Sequence, residues 1–112
     1  MKKNLSRFGV ADDVTLINRR SFDAETISEV RQTIGSGEVG LFIFDADNNV
    51  RRDLDCYGDL LADACWLVVD DYFGPAKAAP IRAQVDTLVS EGRLLPFGYD
   101  GWGTWVGQWQ RD

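Results

Sequence analysis

Apolar positions along this chain fall into two patterns: short runs that are apolar at every residue, and longer stretches where they recur every three or four residues. Val14-Thr15-Leu16-Ile17 is the first run and predicts a strand. Ser21 and Asp23 are both suited to N-capping, and Ile27, Val30 and Ile34 then step at helical spacing to the flexible turn Gly35-Ser36-Gly37. Val39 to Phe44 (VGLFIF) is apolar on both faces, as in strands buried within parallel sheets. It stops at Asp45-Ala46-Asp47-Asn48-Asn49, which is turn chemistry.

The pattern then repeats. Val50, Leu54, Tyr57 and Leu61 mark a helix with one apolar stripe, and Trp66-Leu67-Val68-Val69 is a second strand apolar on both faces, ended by Asp70-Asp71. Tyr72 to Pro75 reads as a loop; Ala78, Ile81, Val85, Leu88 and Val89 outline a third helix, with Pro80 tolerable only in its first turn. Arg93 to Phe97 and Thr104 to Trp109 predict two strands joined by a turn containing Asp100-Gly101. The helices are expected over about 23–34, 50–62 and 77–91. The order β-α-β-α-β-α-β-β predicts an α/β fold, with VGLFIF and WLVV adjacent, parallel and central.

A chain of 112 residues has room for a single domain over 1–112. Twelve basic residues against eighteen acidic ones leave a net charge of -6, which repels nucleic-acid phosphates and anionic membrane surfaces. No apolar run approaches the roughly 20 residues of a membrane span. The start, Met1-Lys2-Lys3-Asn4, leads into no apolar h-region, so the expected location is cytoplasmic.

The sequence holds no histidine, which excludes Ser-His-Asp and Cys-His nucleophilic sites, HExxH zinc sites and histidine general bases. Cys56 and Cys65 match no redox or zinc spacing and are expected to be inert thiols. The charge is concentrated: aspartates 45, 47, 53, 55, 59, 63, 70 and 71 face only Arg51 and Arg52 in that stretch, while the rest of the chain balances. A solvated acidic face is one meaning of such a run. The other is a hard-cation site, because Asp45, Asp70 and Asp71 all follow strands whose carboxyl ends would lie together. Capping of the following turns by these same aspartates is the alternative.

The segments FIFDADNNVRRDLDCY and LLADACWLVVDDYFG resemble the fourth strand through the fifth of class I S-adenosylmethionine-dependent methyltransferases, closest to the cation-dependent O-methyltransferases and macrocin-type relatives. KKNLSRFGVADDVTLINRRSFD is similar to that family's segment into and through its third strand, LLPFGY to an edge strand and GTWVGQW to the last. The resemblance implies a Rossmann-like three-layer sandwich in truncated form, its mostly parallel sheet closed by a C-terminal antiparallel hairpin. It implies that Asp45, Asp70 and Asp71 hold magnesium or calcium, and that Ser21 and Phe22, with Asp45, border the cofactor. The family's glycine-rich loop has no counterpart, and Ala64-Cys65 stands where the family has Gly-Gly. S-adenosylmethionine is therefore expected only if another chain or a dimer partner completes the site.

Two function classes follow. The first is a non-catalytic or degenerate methyltransferase-like module that binds a partner, itself or a small molecule; the second is a magnesium-assisted O-methyltransferase completed by a partner. In the family the two absent strands lie beside VGLFIF, so that strand is expected to offer an apolar edge. Either the first strand slides against it or two chains share it, and a homodimer is expected. Trp105 and Trp109 alternate onto one strand face and are expected under a helix, leaving Trp102 in the hairpin turn as the aromatic for stacking or an interface.

Overall fold

In a computed structural model, residues 2–74 and 78–111 are described. Helix α1 (Lys2–Arg7) leads through a 3-10 turn at 11–13 into extended chain, followed by α2 (Ala24–Ile34), β1 (Val39–Phe44) and α3 (Val50–Tyr57). A 3-10 turn at 58–60 joins β2 (Leu61–Val69), after which come α4 (Ala78–Ser90), β3 (Leu94–Asp100) and β4 (Thr104–Trp109). The sheet has the order β1-β2-β4-β3, with β1 and β2 parallel and the other neighbours antiparallel. This is the expected α/β class, with the hairpin at its C-terminal end. The predicted start of the third helix at 77, and Pro75 of the loop before it, lie outside the described residues.

Two expectations are corrected. The run Val14-Thr15-Leu16-Ile17 is extended but pairs with no strand among the described residues, and Val14 and Leu16 are exposed. Extended backbone becomes a strand only where an edge accepts its hydrogen bonds; here a slot separates Ile17 from Val39 and Phe42. In consequence β1 is an edge strand and not a central one.

The core lies between the sheet and helices α3 and α4. Phe44, Leu67, Val69, Trp105 and Trp109 point from the sheet into Val50, Leu54, Ile81, Val85 and Leu88. Gly107 sits across the ring of Trp105, where a Cβ would approach the ring to 2.2 Å, so only glycine leaves room for the indole. The opposite sheet face has no such cover among the described residues: Leu41 and Ile43 are 54% and 64% exposed. The register continues their rows, Leu41 beside Trp66 and Ile43 beside Val68, then Val106. The Trp66 and Phe97 rings meet at 5.0 Å on that same open side.

Strand β2 begins earlier than the WLVV run. Its first residue pairs with Val39, and the register shifts before Leu41 meets Trp66. Ala64, in that irregular stretch, has φ of 60°, a conformation that costs an L-residue roughly 1 kcal/mol or more. Glycine adopts it freely.

Candidate functional site

The turn after β1 is held from several sides. Asp47 Oδ1 accepts from the Asn49 backbone N–H at 3.1 Å, and Asn49 caps α3 by accepting from Arg52 N–H at 3.1 Å. From α4, Gln84 accepts from Arg51 N–H and donates to the Asn48 carbonyl. The turn after β2 is clasped by the hairpin: the Tyr72 N–H donates to the Gly103 carbonyl at 2.9 Å. A Cβ on Gly103 would approach the Phe73 carbonyl oxygen to 2.4 Å, so this clasp requires glycine. Thr104 donates to Asp70 Oδ1 at 3.2 Å, fixing that carboxylate.

Between these turns Asp45, Asp70 and Asp71 come together, with one carboxylate oxygen from each lying within 4.8 Å of the others. Asp45 is exposed and the other two are half-buried. Asp71 has φ of 62°, a left-handed position that aspartate tolerates better than most residues. Three oxygens so spaced match the donor set of calcium or magnesium, whose bonds to oxygen run from about 2.0 to 2.6 Å.

Ser21 and Phe22, expected to border a cofactor, make internal contacts with α3. The Ser21 hydroxyl lies 2.9 Å from both carboxylate oxygens of Asp53, which is buried, and the Tyr57 hydroxyl donates to the Ser21 carbonyl. Burial pushes the Tyr57 phenol up from its ordinary value. The Arg52 guanidinium lies 3.9 Å from the Phe22 ring centroid and also pairs with Asp47 at 2.9 Å and Asp53 at 3.1 Å. A hydrogen bond from Arg52 holds the Asp47 carboxyl below its usual range. These contacts tie the chain before α2 to the end of β1; only the position of Ser21 and Phe22 before a helix was readable from sequence.

Two hollows went unseen in the sequence. An apolar slot of about 310 Å³ lies beside β1, lined by Ile17, Val30, Ile34, Val39 and Phe42 and by Thr26, whose buried hydroxyl has no hydrogen-bond partner among the described residues. Where β4 ends beside the early part of β2, an open cleft of about 500 Å³ gathers Arg31, Arg93 and Arg111 with Asp55 and Asp59 around Trp109. Arg31 is held by both oxygens of Asp59 at 2.9 Å, and Arg111 by Glu38 at 2.8 Å. The arginine bond holds the Asp59 carboxyl below its usual range, so most of the positive charge there is already matched. No helix among the described residues is long and apolar enough to cross a membrane.

No family model and no curated protein matches the chain. Among solved structures, a candidate O-methyltransferase from Klebsiella pneumoniae superposes on 99% of this chain with a TM-score of 0.67 and 18% identity. The likeness is one of fold. The chain spans 56% of the length of that protein. The three carboxylates of this chain lie beyond the carboxyl ends of its two parallel strands, where α/β sheets place their ligands.

Proposed function

We propose that this chain is a binding module built on part of a methyltransferase-type fold, and that by itself it transfers no methyl group. The observation that carries the reading is the bare sheet face, Leu41, Ile43, Trp66 and Phe97, running to a β1 edge that no strand pairs among the described residues. Contiguous exposed apolar surface marks an interaction site. Two further features support it. The Gly-x-Gly turns of the sequence either precede β1, at Gly35-Ser36-Gly37, or turn the hairpin, at Gly101-Trp102-Gly103. Neither opens a helix after a parallel strand, the arrangement that lets a cofactor approach the backbone. The Ser21 hydroxyl and one face of Phe22 are engaged by Asp53 and Arg52, which leaves the other face of Phe22 as the wall a cofactor could meet there.

A second reading is favoured by the carboxylates. Asp45, Asp70 and Asp71 would hold magnesium or calcium, a Lewis acid suited to polarising a substrate hydroxyl in an O-methyltransferase completed by a partner chain. Calorimetry with S-adenosylmethionine, with and without magnesium, separates the two. Heats of dilution alone are expected. A dissociation constant at or below the low micromolar range, about -8 kcal/mol, would overturn the module reading.

A further inference from the structure

We propose that the slot between α2 and the sheet is a binding site for a small uncharged compound, two rings in size, with an apolar body and one hydroxyl or carbonyl for Thr26. It lies on the helix side of the sheet, apart from the bare face that carries the binding-module reading, so either can fail alone. Helix α2 itself points to it. Ile27, Val30 and Ile34 give the helix an apolar stripe, yet of its residues only Thr26 is buried. Val30 and Ile34 border a slot of about 310 Å³ that Ile17, Val39 and Phe42 complete. Protein interiors rarely leave space larger than a water molecule between packed layers. An apolar cavity of about 150 Å³ takes up benzene, so this volume suits a body of about two rings.

The lining also selects the polar group. Arg19 pairs with Glu29 at 2.8 Å and approaches Glu25 at 3.7 Å, so an anion in the slot would meet carboxylates already in place. The Ser21 hydroxyl is held by Asp53, and the Ser21 carbonyl accepts from the Tyr57 hydroxyl. Thr26 is different: it lines the slot at 4% exposure, and its hydroxyl has no hydrogen-bond partner among the described residues. A buried hydroxyl left unpaired is costly, and an occupant that pairs with it removes that cost. Threonine on a helix divides between two χ1 rotamers, so one turn about that bond presents the hydroxyl to the slot. A charged head would lose its hydration without an opposite charge to receive it, which leaves an uncharged one.

The test compares three probes that share one two-ring body: 2-naphthol, neutral at pH 7 with a single hydroxyl, naphthalene without it, and 2-naphthoate with a charge. Each is titrated into the chain and followed by its own fluorescence. 2-Naphthol should bind at least about tenfold more tightly than either of the others, about 1.4 kcal/mol. Thr26→Val keeps the branched shape and removes the hydroxyl, so 2-naphthol should fall to the level of naphthalene, whereas Thr26→Ser should keep the preference. Val30→Phe fills the slot and should weaken both 2-naphthol and naphthalene by tenfold or more.

Circular dichroism verifies that the variants fold, and the two Thr26 variants decide the matter if Val30→Phe does not. Amide chemical-shift changes on adding 2-naphthol should centre on α2 and β1. The proposal is overturned by any of four results: no saturable binding of 2-naphthol up to about 1 mM, about -4 kcal/mol; equal affinity for the three probes; a preference that survives Thr26→Val; or shift changes centred on Trp66 and Phe97 of the bare face. None of these removes the binding-module reading, which rests on the opposite face of the sheet, and tight S-adenosylmethionine binding would remove that reading without touching the slot.

Discussion

The two faces of the sheet are built from the same kinds of residue and meet opposite fates. On one, Trp105 is 1% exposed and Leu67 and Val69 are fully covered by α3 and α4. On the other, Trp66 is 42% exposed and Ile43 64%, although WLVV and VGLFIF are apolar at every position. Two-sided apolarity therefore records which surfaces the strands are suited to bury, and only the chain's own helices decide which are buried within it. What is left uncovered is the part of the molecule available to a partner.

The contrast is broken most directly by mutation on each side. Trp105→Ala should destabilise the fold by about 3–5 kcal/mol, because it empties a site packed by Gly107 and the helices. Ile43→Thr on the bare face should change stability by no more than about 0.5 kcal/mol. Urea midpoints measure both. A loss above about 2 kcal/mol for Ile43→Thr would mean that the face is covered in solution, by this chain or by a second copy.

A second probe uses the buried side's titration. The Tyr72 phenol lies at the end of the core, 2.5 Å from Asp86 Oδ1, and burial together with that carboxylate pushes it well above its ordinary value of 10.0. The folded protein therefore keeps a proton that the unfolded chain gives up near pH 10. The stability from this group is complete below that point and is lost as pH rises above it toward the folded value. Tyr72→Phe should cost about 1 kcal/mol near neutral pH and flatten the alkaline fall. Absorbance near 295 nm should show one phenol fewer titrating late.

How much was legible follows the same division. The helices expected over 23–34, 50–62 and 77–91 are found at 24–34, 50–57 and 78–90, and with the hairpin they were readable because periodicity and turn residues are local; the second was read too long, since the chain leaves it at Tyr57 and Leu61, assigned to its apolar stripe, begins β2. The convergence of Asp45, Asp70 and Asp71 was readable because parallel neighbours bring their carboxyl ends together. Val14 to Ile17 was read as a strand because its composition suits one, but a ladder also needs an acceptor edge, which a local pattern does not encode. The ties of Ser21 to Asp53 and Phe22 to Arg52 were equally hidden, since each joins residues about thirty positions apart. Ala64 is a local signal only in part: its departure from the resembled Gly-Gly was visible, and the positive φ it must adopt was not. Ala64→Gly should therefore raise stability by up to about 1 kcal/mol, the relief of strain exceeding the added freedom of the unfolded chain. A chemical-melt comparison with the parent measures it, and a loss would show that Ala64 sits there without strain.

The smallest effect belongs to the carboxylates, where bare face and covered face meet at the ends of β1 and β2. Three carboxylates within 4.8 Å repel one another, and part of that repulsion is already offset by the Thr104 hydroxyl on Asp70. A divalent cation would offset more of it in the folded state than in the unfolded chain, where the three are dispersed. Binding to the native state alone stabilises by mass action, about 0.4 kcal/mol at a concentration equal to the dissociation constant. Magnesium or calcium at millimolar concentration should thus raise the melting temperature by a few degrees at most. Potassium chloride at matched ionic strength supplies the control, because general screening acts on every exposed aspartate. Asp70→Asn should abolish the divalent-specific rise while leaving the screening effect in place, since the cluster then loses both a ligand and a charge. A rise that survives Asp70→Asn would place the cation elsewhere among the aspartates between 45 and 71. The absence of any divalent-specific rise would leave the three carboxylates to local contacts of the kind Thr104 makes with Asp70.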